Sequence, residues 1–224
     1  MLVEGWRGRS VPRRLPLKPK GVSRPLPSVM DLQILEVPPS ELAEYARVSI
    51  AFEVRERLTV AATDCGLPLG VEVVPTPYVK NYDAVPGNHP TDWPRRFDAS
   101  HWGILVARAA NTPAGGAVVI HRAPGMEMLE GRKDLAVLWD IRVVPALRGQ
   151  GIGSVLFRAA EAWALARGAM WLEIETQNIN AGACQFYQRH GCTLVAVNRN
   201  VYRDLPDEVQ MIWQKRLESG ARVG

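Results

Sequence analysis

A glycine-rich turn between an apolar run and a helical pattern is the feature that most restricts the fold of this chain. The turn covers residues 148–153, the apolar run residues 135–144, and the helical pattern continues to about Ala166. A strand, a glycine turn and a helix together leave unpaired backbone N–H groups at the positive end of a helix dipole. Arg148 adds a charge suited to phosphate oxygens. The sequence therefore predicts a site for a cofactor that carries a diphosphate.

The spacing of the turn limits which cofactor this is. A P-loop ends in Gly-Lys-Ser/Thr, which does not follow here. The dinucleotide pattern G-x-G-x-x-G, read from Gly151, fails because its last position is Leu156. Glu173 and Glu175 lie about 20 residues beyond the turn, where a ribose-binding acid would be expected. A non-catalytic nucleotide-binding module is thus one alternative, although the chain lacks the further βα units of such a fold.

Two motifs in order resemble those of the GNAT superfamily of N-acetyltransferases. The first, R/Q-x-x-G-x-G/A, corresponds to Arg148, Gly151 and Gly153. The second, N-x-x-A-x-x-F-Y-x-x-x-G, corresponds to Asn180, Ala183, Phe186, Tyr187 and Gly191. Within that superfamily, the streptothricin acetyltransferases are similar to the chain over residues 52–54, 77–82, 173–180 and 202–213. Cys192 and the final strand at residues 212–215 depart from that pattern.

The resemblance implies a fold, a cosubstrate and its binding residues. The fold would be α+β, a GNAT-type mixed, mostly antiparallel sheet with helices on both faces, which also fits the predicted order of strands and helices. Acetyl-CoA would be the cosubstrate. Asn180 would bind the pantetheine arm or cap the helix that follows it, or do both. The predicted cofactor-binding residues are Ile141, Arg142, Val143, Arg148, Gly149, Gln150, Gly151, Ile152, Gly153 and Asn180.

Acetyl transfer to an amine requires a neutral amine, donors for the oxyanion, and a proton for the departing thiolate. A lysine-like amine is neutral in only about one part in 10³ to 10⁴ at pH 7, so a nearby acid can contribute as a base. Asp140 and Glu175 are the predicted base candidates and Glu173 a weaker one; each could instead be a paired structural acid, with Arg142 or Arg199 as partner. The resemblance makes Tyr187 the predicted proton donor, with packing against the cofactor as the alternative.

The remaining sequence defines the domain limits and several expected elements. Residues 1–29 hold seven Lys or Arg against one acid and are rich in proline, so we expect a disordered extension before an N-acetyltransferase domain at residues 30–218. A helix is expected from Glu41 to Ile50 with Ser40 as its cap. Residues 58–98 form no regular pattern apart from a short strand at 71–74, and their Tyr78 and Tyr82 are candidates for lining the acceptor site or for anchoring a loop. Strands are expected at residues 31–37, 102–109, 117–123, 170–176, 193–197 and 209–217. A further helix, after the one that follows the glycine-rich turn, is expected at 181–190.

The composition of the chain limits the kinds of cofactor and partner that we expect it to bind. The three cysteines form no C-x-x-C pair and the four histidines have no metal-ligand spacing, which predicts reduced thiols, a cytoplasmic protein and no metal. No apolar run is long enough for a membrane span, and the basic segment has no aromatic platform for nucleic acid. The expected partner is a small-molecule amine, first a streptothricin-type antibiotic, with a protein or peptide amine as the alternative. The resemblance is compatible with a homodimer.

Overall fold

The described part of the chain folds into a large mixed sheet, a separate two-stranded sheet and four α-helices. The computed structural model describes residues 32–60, 69–202 and 205–218, so the predicted extension at 1–29 lies outside the described residues. The elements within those residues are β1 (Leu32–Val37), α1 (Leu42–Tyr45), β2 (Phe52–Val60), β3 (Leu69–Lys80), α2 (Trp93–Arg96), β4 (Trp102–Ala109), β5 (Thr112–His121), β6 (Leu135–Val143), α3 (Ile152–Ala166), β7 (Trp171–Gln177), α4 (Ala181–Arg189), β8 (Thr193–Asn198) and β9 (Gln210–Arg216).

The large sheet is antiparallel except at its centre. Its strands lie in the order β1-β4-β5-β6-β7-β9-β8. The central strands β6 and β7 are parallel, and they pair only where Leu135–Val137 meets Trp171–Glu173. Beyond this point β6 stays paired with β5, and β7 stays paired with β9. The carboxyl halves of β6 and β7 therefore separate and leave a gap in the middle of the sheet.

Helices cover both faces of this sheet. Alternate residues of a strand point to opposite faces, and the core divides accordingly. Leu105 and Val119 pack in the core that α3 and α4 share, whereas Ile104 and Val118 pack in the core that contains residues of α1 and α2. The predicted α+β class, with a mixed and mostly antiparallel sheet between helices, is confirmed.

The two-stranded sheet was not expected from the sequence. Residues 58–98 were predicted to be irregular with a short strand at 71–74, but β3 runs for 12 residues and pairs antiparallel with β2. Most of β3 is exposed, so it lacks the alternation of a half-buried strand. Its two prolines, Pro75 and Pro77, fall where the pairing shifts opposite residues 54–56 of β2.

The strand β5 begins earlier than predicted. A strand is expected at residues 117–123, but β5 already starts at Thr112 and includes the glycines before that range. Close packing explains the glycines there. A Cβ atom on Gly115 would lie 2.6 Å from the carbonyl oxygen of Arg142, and one on Gly116 would lie 2.5 Å from the ring of Tyr45. These glycines permit backbone contact inside the sheet and do not mark a turn.

The helix predicted from Glu41 to Ile50 is also shorter than expected. The helix α1 ends at Tyr45, and Ser40 makes no capping hydrogen bond. Beyond α1, the carbonyl oxygens of Val48, Ser49 and Ala51 accept hydrogen bonds from arginine side chains. Carbonyl groups that are bound in this way do not need a continued helix to satisfy them.

Candidate functional site

The gap between β6 and β7 exposes backbone groups of β6. The N–H of Val144 donates to the carbonyl oxygen of Ala114 on β5 at 2.9 Å. Because residues of an antiparallel strand alternate in their hydrogen-bonding direction, Arg142 and Asp140 also bond towards β5. The backbone groups of Ile141 and Val143 consequently face the gap. An elongated ligand in the gap could pair with them as an additional strand would.

The glycine turn presents a row of free amides next to this gap. Gly149 and Gly151 have φ angles of 76° and 86°, in the left-handed region that glycine adopts without strain. The first amide of the helical ladder to find an acceptor is that of Val155, which donates to Gly151 at 3.1 Å. Within the described residues, the backbone N–H groups of residues 149–154 have no acceptor. With the dipole of the 15-residue α3 behind them, they can bind a diphosphate.

Three further residues of the turn have packing roles. Ile152 is buried in the core that α3 shares with α4. Gly153 lies where α4 meets the first turn of α3, since a Cβ atom at this position would lie in van der Waals contact with the ring of Phe186, at 3.4 Å. The side chain of Gln150 donates to the carbonyl oxygen of Ala146 at 3.3 Å. Only the backbone of this turn therefore points freely towards a ligand.

The side chain of Arg148 has its own partners. It donates to three carbonyl oxygens, those of Val143 at 3.0 Å, Ala51 at 2.7 Å and Ser49 at 2.9 Å. Partial burial lowers the pKa of its guanidinium. The sequence predicted a charge for phosphate oxygens, whereas here the guanidinium joins the end of β6 to the segment before β2.

Tyr187 and Asn180 belong to α4, which packs beside α3. Tyr187 is 5% exposed, and burial raises the pKa of its phenol above the usual value. No hydrogen bond of its hydroxyl is found among the described residues. Such a phenol is protonated at neutral pH and free to donate. The Oδ1 atom of Asn180 accepts from the amide of Ala183 at 3.2 Å, so the predicted helix cap is confirmed.

Asp140 lies in a buried network with Arg142. The Arg142 side chain, with no exposed surface, donates to Asp140 at 2.8 and 2.7 Å and to Asp83 at 3.0 and 3.2 Å. The Tyr45 hydroxyl also donates to Asp140. The sequence left two roles open for Asp140, a base or a structural acid paired with an arginine. The structure shows the pair with Arg142. The oxygens of this carboxylate are already engaged by donors, which disfavours it as a base.

We expect Asp83→Asn to lower the free energy of unfolding by about 1 to 2 kcal/mol, because Arg142 would lose one of two charged partners in a buried site. Urea denaturation measures this change. Asp92→Asn is the matched control, since Asp92 pairs with the largely exposed Arg95, and exposed pairs contribute little. Equal effects of the two substitutions would contradict the structural role of the Arg142 network.

Glu175 and Glu173 occupy the same face of β7 but have different partners. Glu175 accepts from the hydroxyl of Tyr202 at 2.5 Å and from the side chain of Gln210 at 2.8 Å. Glu173 accepts from Gln214 at 2.7 Å, and burial raises its pKa. Neither carboxylate has a cation within salt-bridge distance among the described residues. Glu175 is half-buried beside the gap, so it is the better placed of the two to accept a proton.

A third group of side chains lies near Glu175, and the sequence did not single it out as a unit. Glu208 is 6% exposed and accepts from Lys80 and from the hydroxyl of Tyr82, the latter at 2.5 Å. Burial raises the pKa of Tyr78, and Glu208 and Asp207 raise it further. Burial raises the pKa of Tyr202 most, Glu175 raises it further, and Glu208 also contributes to the rise. We call this the acidic cluster, and its members are Tyr78, Lys80, Tyr82, Glu175, Tyr202, Asp207 and Glu208.

The acidic cluster combines three carboxylates with one lysine. Tyr78 and Tyr82, the candidates for lining an acceptor site or for anchoring a loop, belong to it, while Tyr202, Asp207 and Glu208 were missed as functional residues. The sequence signal for Glu208 was an acid directly before the final apolar strand. Aromatic rings and surplus carboxylates together favour a positively charged ligand.

Comparison with known proteins identifies relatives over most of the chain. Residues 75–192, just over half of the chain, match a family model described as the acetyltransferase (GNAT) family. A streptothricin acetyltransferase of Escherichia coli is 28% identical over 182 residues, which cover 80% of this chain and 93% of the relative. A streptothricin acetyltransferase of Streptomyces lavendulae is 30% identical over 149 residues, 66% of this chain and 75% of the relative.

A solved structure shares the fold. It is that of a protein from Bacillus anthracis assigned as a streptothricin acetyltransferase, in complex with acetyl coenzyme A. The TM-score is 0.66 at 25% identity, and the match covers 83% of this chain and 99% of the other. In the part of the chain that the structure describes, none of the helices has the length and apolar character to cross a membrane.

Proposed function

Because the chain belongs to the acetyltransferase (GNAT) family, we propose that its acceptor is a primary amine of a small cationic molecule, with a streptothricin-type antibiotic first. The chain is an N-acetyltransferase, and acetyl-CoA is its cosubstrate. We also propose which residues bind this acceptor and act on it. The acidic cluster beside the gap is the observation that supports a cationic acceptor.

The residues of the glycine turn and of β6 fit acetyl-CoA, which supplies the activated acetyl group as a thioester. The unpaired amides of residues 149–154 suit its diphosphate, because six backbone donors without acceptors would otherwise depend on water. The backbone groups of Ile141 and Val143 suit the amide-bearing pantetheine arm, and the N–H of one of them is proposed as the oxyanion donor. Asn180 is proposed as a second contact to this arm through its side-chain N–H₂.

Tyr187 is proposed as the proton donor to the departing thiolate. Its hydroxyl supports this role, because it has no other hydrogen-bond partner among the described residues and a phenol is protonated before the reaction. Glu175 is the proposed base, directly or through water, and Asp140 stays a second candidate. The hydroxyl of Tyr202 and the side chain of Gln210 hold the Glu175 carboxylate in a fixed orientation.

The charges of the acidic cluster support a cationic acceptor over a neutral one. Among the described residues, Glu175, Asp207 and Glu208 outnumber Lys80. Arg57 also acts on Asp207 and Tyr78, but it is paired with Glu72, so the described surface beside the gap keeps an excess of negative charge. Such a surface concentrates cations near it and orients an amine towards the gap. The names of the relatives lead to streptothricin as the first compound to test. The odd number of cysteines and the lack of a C-x-x-C pair support a cytoplasmic location for this chain, and we also propose that it forms a homodimer.

A thiol-release assay over several amines tests the acceptor. Streptothricin, an aminoglycoside, a polyamine and a peptide amine are compared at equal concentration with acetyl-CoA. The highest kcat/KM is expected for streptothricin. Preference for the peptide amine would favour the protein acetyltransferase alternative. Calorimetry with acetyl-CoA and with NAD tests the nucleotide-binding alternative, which requires binding of the second ligand.

We expect Glu175→Gln to lower kcat at neutral pH by about tenfold, because the amine loses its proton acceptor. Steady-state kinetics at neutral pH measures this effect. Glu173→Gln is the matched control, since Glu173 lies on the same face two residues earlier and binds a glutamine in the same way. An unchanged kcat in Glu175→Gln would remove Glu175 as the base and leave Asp140.

A further inference from the structure

The two-stranded sheet β2–β3 is attached to the rest of the fold at both of its ends. At one end, Asn178 donates to the carbonyl oxygen of Leu58 at 3.1 Å and its own carbonyl oxygen accepts from the amide of Leu58 at 2.9 Å. At the other end, the segment at residues 48–51 leads into β2 and Asp83 follows β3. Both of these connections are bound by arginines from the β6 region.

Arg142 and Arg148 each bind different groups of these two connections. Arg142 donates to the carbonyl oxygen of Val48 at 3.1 Å and to the carboxylate of Asp83. Arg148 donates to the carbonyl oxygens of Ser49 and Ala51, and its Nε–H donates back to Val143. The guanidinium of Arg148 is thus directed at three carbonyl groups, and no carboxylate pairs with it among the described residues.

We infer that Arg148 is a positioning residue for the acceptor side of the site and that its guanidinium does not bind the diphosphate. It holds β2–β3 so that Tyr78, Lys80 and Tyr82 remain beside the gap. Arg148 also directly precedes Gly149, the first of the residues whose free amides suit the diphosphate. One residue therefore connects the turn that binds the cosubstrate to the strands that carry the acceptor contacts. This inference rests on the proposed function and deepens it.

The two roles of Arg148 predict opposite results. A phosphate ligand contributes to the affinity for acetyl-CoA, and a lysine would partly replace it because the charge is kept. A clamp on three carbonyl groups contributes to the order of β2–β3, and a lysine would fail because it lacks the planar fork that reaches several acceptors. Arg148→Gln and Arg148→Lys together distinguish these roles.

Three measurements on the full-length chain follow from this contrast. Calorimetry is expected to give a Kd for acetyl-CoA within about twofold of the original in both variants. Amide hydrogen exchange of peptides from residues 52–60 and 69–80 is expected to be about tenfold faster in both, because local opening becomes easier when side-chain hydrogen bonds are lost. The KM for streptothricin is expected to rise by about tenfold with kcat less affected.

The control is Arg158→Gln, an exposed arginine on α3, which should change none of the three quantities. A rise in the Kd for acetyl-CoA in Arg148→Gln that Arg148→Lys restores, with unchanged exchange in β2–β3, would overturn the inference. If the original chain fails to acetylate streptothricin, the proposed acceptor is wrong. Exchange and calorimetry still decide the role of Arg148 in that case, because neither needs an acceptor.

Discussion

Gly151→Val is expected to weaken the binding of acetyl-CoA by about 100-fold while the chain still folds. Gly151 has a φ of 86°, and a β-branched residue in this region costs about 1 to 3 kcal/mol. The turn would relax to avoid this strain and would move the amides of residues 149–154 away from a common ligand position. Loss of one charge-assisted hydrogen bond to the displaced amides costs about 1.5 to 3 kcal/mol, and a loss of about 2.8 kcal/mol corresponds to about 100-fold in Kd.

Calorimetric titration with acetyl-CoA measures this effect, and Gly168→Val is its matched control. Gly168 has a φ of 85° and follows the other end of α3, so the same substitution produces similar strain far from the turn. The control should lower the stability of the fold without changing the Kd. If both variants bind acetyl-CoA as the original does, the diphosphate does not depend on these amides.

Tyr187→Phe is expected to lower kcat by about 100-fold with an unchanged Kd for acetyl-CoA. General acid catalysis typically contributes about 10² to 10⁴ in rate, and phenylalanine keeps the ring in its buried position. A phenol is protonated across the neutral range, so Tyr187 carries the proton that the thiolate needs before the reaction begins. The single removed atom should affect turnover only.

Single-turnover kinetics separates chemistry from product release in this test. Tyr78→Phe removes a comparable hydroxyl, on a tyrosine of β3 that is 45% exposed. It should change the KM for the acceptor and leave kcat within about twofold. A rate of acetyl transfer in Tyr187→Phe that matches the original would mean that Tyr187 only packs against the cosubstrate.

Local chemistry made part of the site predictable from the sequence. The apolar run before the turn, the glycines and the amphipathic helix specify β6, the turn and α3 through contacts between near neighbours in the chain. The cap at Asn180 is equally local, since its partner amide belongs to Ala183. For these features the strand and helix bounds agree with the sequence within a few residues.

Long-range pairing explains what the sequence could not specify. Arg142 meets Asp83 across 59 positions and Lys80 meets Glu208 across 128, and no local pattern predicts such partners. The sequence did not predict the full strand β3. Most of its residues are exposed, so it lacks the alternation of apolar and polar side chains that marks a half-buried strand. The role of the Arg148 side chain depends on carbonyl groups nearly a hundred positions earlier, which only the fold brings near.

The separate ladder of the β2–β3 sheet has a consequence for sequence variation. Neither of its strands pairs with the seven-stranded sheet. Most residues of β3 are exposed, so many of its positions can change without altering the strand pairing of β6, whose backbone groups are proposed to bind the cosubstrate.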